Sequence, residues 1–281
     1  MKLKKMQFKT FIYQSSKIYY RIVGTGRPVI LLHGFGEDGE IWNDQVDFLS
    51  TGCFAKDYYR LLIPDLPGSG RSELIADMSI EGMAEVIKEI INLELQNSSP
   101  SEGDWVGILG HSMGGYIALA LAEKHPGLLN AFGLVHSSAF ADSEEKKTAR
   151  IKSIEFMKRN GAYAFLKTSI PGLFSQQWVV GNGQRIDALI ERGKNFSAEA
   201  LVQYYEAMLV RPDRTAVLKN FDGPILFIIG EFDIAAPFQQ SLQQCYLPML
   251  SHIHILRNSA HMGMLEEVNK TNQALKSFLN L

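Results

Sequence analysis

The length, composition and charge of the chain are those of a globular protein. It has 281 residues, of which 46% are hydrophobic and 21% charged, and this predicts one α/β domain with a large core and an insertion. The net charge of −2 and the lack of a long basic stretch argue against a nucleic-acid partner. No segment reaches the apolar length of a membrane-spanning helix.

Two features of the chain bear on its location. The cysteines, Cys53 and Cys245, have neither metal-ligand nor disulfide spacing, so we expect two free thiols in a reducing compartment. Residues 1–5 are basic, but residues 6–13 alternate between apolar and polar side chains and include a lysine. That pattern indicates an edge strand rather than the core of a signal peptide. The sequence therefore predicts a cytoplasmic protein.

Eight apolar segments are predicted to be strands, and helical patterns lie between many of them. The strands are residues 6–13, 17–23, 29–32, 59–63, 105–109, 131–135, 225–229 and 253–256. The helices are residues 78–95, 115–124, 239–245 and 269–279. This alternation is typical of an α/β fold with a mostly parallel sheet that helices cover on both faces.

The alternation breaks between residues 138 and 221. Helical periodicity continues there without a convincing strand, so we interpret the stretch as a helical cap inserted after the sixth strand. The helices predicted within it are residues 146–159, 186–194 and 198–209. The resulting organisation is a core formed by residues 1–138 and 221–281, with a cap at residues 139–220.

The loop after the third strand and the turn at residues 110–114 carry the first chemical signals. Residues 33–36, HGFG, and residues 110–114, GHSMG, each follow an apolar strand. The glycines of GHSMG permit a sharp turn that would raise the Ser112 hydroxyl above the sheet, in front of the positive end of a helix dipole. Ser112 is the predicted nucleophile, and the backbone N–H groups of Phe35 and Met113 are the predicted oxyanion hole.

A serine nucleophile needs a base and a carboxylate that orients the base. Asp233 follows the strand at residues 225–229, and His261 lies on the loop after the strand at residues 253–256. Both therefore fall at the carboxyl edge of the predicted sheet, where α/β sites collect their residues. The alternatives are that Asp233 caps the helix near Pro237 and that His261 is an ordinary surface histidine. We expect His33 to be a structural hydrogen-bonding group.

Five motifs, in this order, resemble the α/β-hydrolase superfamily over essentially the whole chain. They are HGFG at residues 33–36 with Trp42 after it, PDLPGSGRS at 64–72, GHSMGG at 110–115, GEFD at 230–233 with Pro237, and Ala260-His261 leading to Glu266. The resemblance implies the α/β-hydrolase fold and the chain order serine, aspartate, histidine. It makes the motif at 33–36 the oxyanion loop and the stretch at 64–72 a structural loop, in which Asp65 is a poorer acid than Asp233.

Side chains of the predicted cap bear on the substrate. Aromatic residues and methionines there could line an apolar pocket over Ser112, and we expect Phe35, Trp178 and Met262 to line it. The basic residues of the helix at 146–159 have two interpretations. We favour a solvated helix face, and the alternative is that they steer an acidic substrate such as an acyl carrier. These residues are Lys146, Lys147, Arg150, Lys152, Lys158 and Arg159.

The predicted function is that of a serine hydrolase, without cofactor or metal, that cleaves a small or medium carboxylic ester through an acyl-enzyme. Thioester hydrolysis and perhydrolysis would use the same triad. Carbon–carbon bond hydrolases often have asparagine in place of His111 and tryptophan in place of Met262, so that subclass is less favoured. A different class is a small-molecule receptor with vestigial hydrolysis. The sequence does not indicate the oligomeric state of the protein.

Overall fold

Within the described residues, eight strands form one sheet. The structure is a computed structural model that describes residues 6–51, 59–96 and 105–281. The strands it contains are β1 (Gln7–Tyr13), β2 (Ser16–Gly24), β3 (Arg27–Leu32), β4 (Tyr59–Pro64), β5 (Gly107–His111), β6 (Ala131–Val135), β7 (Ile225–Gly230) and β8 (Ser251–Leu256). They form one sheet in the order β1-β2-β4-β3-β5-β6-β7-β8.

The strands pair as the sequence predicts. β1 and β2 are antiparallel to their neighbours, and the pairs from β4 through β8 are parallel. Every residue of β4, β5, β6 and β7 is buried, because helices cover both faces of a parallel sheet. The edge strand β1 is only half-buried along one face. The predicted fold class, a mostly parallel eight-stranded sheet flanked by helices, is confirmed.

Twelve α-helices lie within the described ranges. They are α1 (Asn43–Thr51), α2 (Ile80–Gln96), α3 (Met113–Lys124), α4 (Glu144–Asn160), α5 (Ala162–Ser169), α6 (Gln176–Gly181), α7 (Gly183–Arg192), α8 (Ala198–Val210), α9 (Thr215–Asn220), α10 (Phe238–Gln244), α11 (Gly263–Glu266) and α12 (Val268–Leu279). α2 packs on α3, and α1 packs on α12. In this part of the chain no helix has the length and apolar character needed to cross a bilayer.

Residues 136–224, here called the β6–β7 segment, contain α4 to α9 and no strand. The sequence predicts α4, α7 and α8 because each has ten or more residues and hence a readable apolar stripe. It does not predict α5, α6 and α9. These helices have eight, six and six residues, which is too short for a 3.6-residue period to be distinguished.

Some predicted boundaries are displaced by local hydrogen bonds. β5 is predicted at residues 105–109 but continues to His111, whose backbone is in register with Val135 of β6. α2 begins at Ile80 rather than at residue 78, because the Ser79 hydroxyl accepts the Gly82 N–H at 3.0 Å and caps the helix. Cys245 is a buried free thiol, while Cys53 and residues 1–5 lie outside the described residues.

Candidate active site

Ser112 occupies a strained turn between β5 and α3. Its φ of 49° and ψ of −114° are rare for a residue with a side chain. The Ser112 N–H donates to the Val135 carbonyl at 3.0 Å, and the Ser137 hydroxyl donates to the Ser112 carbonyl at 2.7 Å. A Cβ on Gly110 would lie 2.3 Å from the backbone of Gly114, so the turn requires glycine there.

Asp233 and His261 are hydrogen bonded to each other. The His261 Nδ1–H donates to Asp233 Oδ2 at 2.8 Å, and both side chains are buried. The N–H groups of Ala235 and Ala236 each donate to Asp233 Oδ1 at 2.8 Å. Burial alone would raise the pKa of Asp233, but the charge of His261 and hydrogen bonds from His136 and His261 outweigh it and hold that pKa well below its ordinary value. Asp233 is therefore a carboxylate at neutral pH.

Glu266 and a backbone contact hold the loop that carries His261. Glu266 Oε1 accepts the N–H groups of Ala260 at 2.9 Å and Met262 at 3.2 Å, one residue to each side of His261. Glu266 Oε2 accepts the Ser175 N–H at 2.8 Å. Since Ser175 belongs to the β6–β7 segment, one carboxylate connects that segment to the loop. This explains the glutamate that follows His261 in the fifth motif.

A second imidazole, His136, contacts the same carboxylate. Its Nδ1 lies 3.2 Å from Asp233 Oδ2, and its Nε2 accepts the Gly263 N–H at 3.2 Å. A ring nitrogen that accepts carries no proton, so His136 is neutral with its proton on Nδ1. Burial is the main reason that its pKa is lowered to about 4. The sequence pattern offered no signal for this contact beyond the histidine itself.

Three side chains at this point resemble a metal-ligand set. One atom from each of His136, Asp233 and His261 lies within 4.8 Å of the others. However, both Nδ1 atoms face a single carboxylate oxygen, and the second nitrogen of His136 is bound to Gly263. An ion would have to replace both protons shared with Asp233. Hydrogen bonding therefore accounts for this cluster, and the residues do not fit a metal site.

A buried ion pair lies beside Ser112. The His111 Nδ1–H donates to Glu37 Oε2 at 2.9 Å, and its Nε2 faces the His261 carbonyl oxygen at 3.0 Å. Since both partners are acceptors, both ring nitrogens carry protons and His111 is an imidazolium. Burial would lower the pKa of His111, but the Glu37 charge and hydrogen bond outweigh it and raise that pKa. Sequence patterns did not reveal Glu37, which lies 74 residues from its partner.

The predicted oxyanion loop lies against Ser112. Glu37 Oε2 also accepts the Gly34 N–H at 2.7 Å, and a Cβ on Gly34 would be 3.2 Å from the Ser112 Cβ. Met113 is the first residue of α3, and the first N–H groups of a helix have no partner within it. Within the described residues neither the Phe35 nor the Met113 N–H donates to a protein acceptor. Both are thus available to a ligand.

His33 and Asp65 have the structural roles expected of them. The Leu66 N–H donates to His33 Nε2 at 2.9 Å. Asp65 accepts the N–H groups of Gly39 at 3.0 Å and Arg71 at 2.9 Å. These bonds join the loops after β3 and β4 beside the site. Neither side chain contacts the Asp233–His261 pair through a hydrogen bond within the described part of the chain.

A cavity of about 220 Å³, open to solvent, contains both Ser112 and His261. Phe35 and Tyr205 also line it, with their rings stacked at 4.2 Å. Met262 lines a small neighbouring cavity of about 30 Å³, which shares Phe35. Of the three predicted pocket residues, the structure therefore places only Phe35 beside Ser112.

The expectation that Trp178 lines this pocket is wrong. Trp178 is not among the residues that line either cavity. Its ring stacks on Phe174 at 4.7 Å with an interplanar angle of 9°, so its large apolar face packs within the β6–β7 segment.

The basic helix α4 also differs from its favoured interpretation, which was a helix face in solvent. Two of its basic residues, Lys146 and Arg150, line the cavity that contains Ser112.

Comparison with known proteins places this chain in a family. A profile of the Alpha/beta hydrolase family matches residues 29–273. A thermophilic esterase from Thermogutta terrifontis superposes with a TM-score of 0.85 at 26% identity, covering 98% of both chains. The pimeloyl-[acyl-carrier protein] methyl ester esterase of Sodalis glossinidius is 26% identical over 270 residues, which is 94% of this chain and 98% of the relative. A provisionally named carbamate hydrolase of Agrobacterium fabrum is 26% identical over 257 residues, or 90% and 93%. Because the family profile matches most of its length and its fold superposes on that of the esterase, the chain belongs to the alpha/beta hydrolase family.

Proposed function

We propose that this hydrolase cleaves a carboxylic ester through a covalent acyl-enzyme on Ser112. The observation that carries the proposal is the 2.8 Å hydrogen bond between Asp233 and His261, in a cavity that also contains Ser112. The relatives named above include two esterases, which supports an ester rather than another acyl bond.

The proposed reaction has two steps. In the first, His261 Nε2 takes the Ser112 proton as the hydroxyl oxygen attacks the ester carbonyl, and the alcohol leaves with that proton. In the second, His261 removes a proton from water as the hydroxide attacks the acyl carbon, and it returns that proton to the Ser112 oxygen as the acid is released. Asp233 holds the proton of His261 on Nδ1, so that Nε2 is the basic atom, and it stabilises the imidazolium that forms.

Backbone groups stabilise the negative oxygen of each tetrahedral intermediate in this proposal. The N–H groups of Phe35 and Met113 would donate to that oxygen. The Glu37–His111 pair positions this arrangement, because it is bonded to the Gly34 N–H on one side and to the His261 carbonyl on the other. The β6–β7 segment acts as the cap, since α4 and α8 supply part of the cavity wall over Ser112.

Labelling with a fluorophosphonate probe tests the nucleophile. Such probes react with a serine that a base activates beside an oxyanion hole, so we expect one adduct, on the peptide that contains Ser112, and none in Ser112→Ala. Hydrolysis of simple methyl esters is measured in parallel. Labelling of a different serine, or unlabelled folded protein that still hydrolyses esters, would exclude this mechanism. Ligand binding with hardly any turnover would instead favour the receptor alternative.

A further inference from the structure

Two cations of α4 face the cavity that contains Ser112. Lys146 and Arg150 line the cavity and are four residues apart, so they project from one face of the helix. The other basic residues of α4 follow the solvated interpretation, and Lys147 pairs with Glu144 at 2.8 Å on the exposed face. Some basic side chains of α4 therefore face solvent, whereas Lys146 and Arg150 face the cavity.

On the α4 side of the cavity, positive side chains outnumber negative ones. Asp142 is buried and contacts three cations: Arg150 Nε at 2.6 Å, Arg211 at 2.8 Å and Lys146 Nζ at 3.7 Å. One carboxylate therefore faces three positive charges. Asp142 lies behind the cavity lining, and Glu37, an acidic residue that does line the cavity, is matched by His111. An excess of positive charge in a partly desolvated wall is unfavourable unless an anion joins it.

Arg150 has the geometry to bind that anion. Its side chain is 11% exposed, and its guanidinium lies over the Tyr205 ring at 4.9 Å. The hydrogen bond to Asp142 is made through Nε. In a planar guanidinium, the edge formed by the two terminal nitrogens is separate from Nε and matches the two oxygens of a carboxylate.

Both cations are connected to the residues around Ser112. Tyr205, on which Arg150 stacks, is itself stacked on Phe35 of the oxyanion loop at 4.2 Å. Lys146 Nζ donates to the Ala235 carbonyl at 2.8 Å, and the Ala235 N–H donates to Asp233. Since Lys146, Arg150 and Ser112 line one cavity, an anionic group held by the two cations would belong to the same small molecule whose carbonyl reaches Ser112.

We propose that the substrate is an ester that carries a carboxylate, such as the monoester of a dicarboxylic acid, and that Arg150 and Lys146 bind this carboxylate. The inference rests on the proposed function and specifies its substrate. The reaction adds water across the ester bond of the monoester. It releases an alcohol, a second carboxylate and, at neutral pH, one proton.

Matched pairs of methyl esters test the substrate class. The monomethyl esters of succinate, glutarate and adipate are compared with neutral methyl esters of equal chain length, with methanol release as the assay. We expect kcat/KM for at least one monoester to exceed that of its neutral counterpart by roughly 10-fold or more, as a charged hydrogen bond would give. Consistently better hydrolysis of the neutral esters would overturn the proposal.

Substitutions then assign the effect to the two cations. Arg150→Gln and Lys146→Gln should lower kcat/KM for the preferred monoester, Arg150→Gln by about 10- to 100-fold, and change the neutral ester by much less. The neutral ester reports that each variant is folded. Lys147→Gln, which removes an exposed charge from the same helix, is the control and should behave as the wild type. Equal losses on both ester types would contradict the proposal.

A binding measurement separates this inference from the proposed function. Calorimetric titration of Ser112→Ala with monomethyl adipate and with methyl hexanoate needs no turnover. Tighter binding of the monoester, weakened by salt, supports the carboxylate site even if no ester is hydrolysed. If esters are hydrolysed but binding and turnover do not distinguish the charged from the neutral compounds, the carboxylate site is refuted and the hydrolase mechanism stands.

Discussion

The buried Glu37–His111 pair offers a sharp test of how the site is held together. Glu37 Oε2 accepts from both the Gly34 N–H and His111 Nδ1, and His111 donates onward to the His261 carbonyl. In Glu37→Gln the amide oxygen can keep the acceptor role. The charge is lost, however, so His111 gives up one proton and one of its two hydrogen bonds.

The expected loss of stability follows from this geometry. Removing one partner of a buried ion pair costs about 3–5 kcal/mol, and the retained acceptor puts Glu37→Gln near the lower end. For a chain of this size about 3 kcal/mol corresponds to a fall in Tm of roughly 6–12 °C. Glu85→Gln is the control, because Glu85 pairs with His125 at 2.8 Å, Lys88 at 2.8 Å and Lys124 at 3.0 Å at partly exposed positions, where an ion pair contributes about 0–1 kcal/mol.

The two pKa shifts determine how the stability contributed by the Glu37–His111 pair changes with pH. The pKa of Glu37 lies below its ordinary value of 4.5 because the His111 charge and hydrogen bond outweigh burial. Its contribution is therefore complete above 4.5 and is lost as the pH falls through the lowered pKa. The pKa of His111 is raised above 6.5, so its contribution is complete below 6.5 and is lost as the pH rises through the raised pKa. The difference in stability between wild type and Glu37→Gln should be largest between those two ordinary values.

Thermal and urea unfolding at a series of pH values measure this difference. Ester hydrolysis should fall by about 10- to 100-fold, since a small displacement of the His261 loop misplaces the base. The reasoning is refuted if Glu37→Gln unfolds as the Glu85→Gln control does, or if its difference from wild type stays constant across the pH range. A stable variant with low activity would restrict the role of Glu37 to positioning.

Three further predictions concern other parts of the site. Ser112→Ala and His261→Ala should each lower kcat by about 10⁴ or more, and the double variant should be little worse; additive losses in steady-state kinetics would argue against a single catalytic unit. Gly110→Ala should lower Tm and abolish activity, because its Cβ would lie 2.3 Å from backbone atoms, whereas Gly172→Ala, with open space around it, should change neither. Trp178→Ala should leave the preference for acyl chain length unchanged, since the Trp178 ring stacks within the β6–β7 segment. If kcat/KM across an ester series showed a shifted preference, Trp178 would line the substrate pocket after all.

The parts of the site that could be predicted from the sequence are those fixed by chain order. Ser112, Asp233 and His261 each follow a strand of a parallel sheet, and parallel strands end at one edge. Their proximity therefore follows from topology once the strands are recognised. The hydrogen bond between Asp233 and His261 joins residues 28 positions apart without any local signal at either residue beyond its place after a strand.

The rest depends on side-chain direction, which topology does not determine. Glu37 lies only three residues after Gly34 but pairs with His111, 74 residues away. Whether Arg150 faces solvent or the cavity depends on how α4 is rotated about its axis, and the basic residues of α4 lie on more than one side of the helix. Trp178 was misplaced because α6 has six residues and shows no period from which its inward face could be read.

Hydrogen bonding distinguishes three neighbouring histidines, His111, His136 and His261, as candidates for the proposed proton transfer. Their ring centroids lie 5.0 to 6.1 Å apart, so proximity does not distinguish them. His111 donates from both nitrogens, and a doubly protonated ring cannot accept a proton. His136 donates from Nδ1 and accepts the Gly263 N–H at Nε2, and burial lowers its pKa to about 4. His261 donates from Nδ1 to Asp233, and within the described residues its Nε2 makes no hydrogen bond. Of the three rings, only that of His261 has a nitrogen that is both unprotonated and without a hydrogen bond among the described residues. Hydrogen bonding therefore adds to chain order in supporting the proposal that His261 is the base.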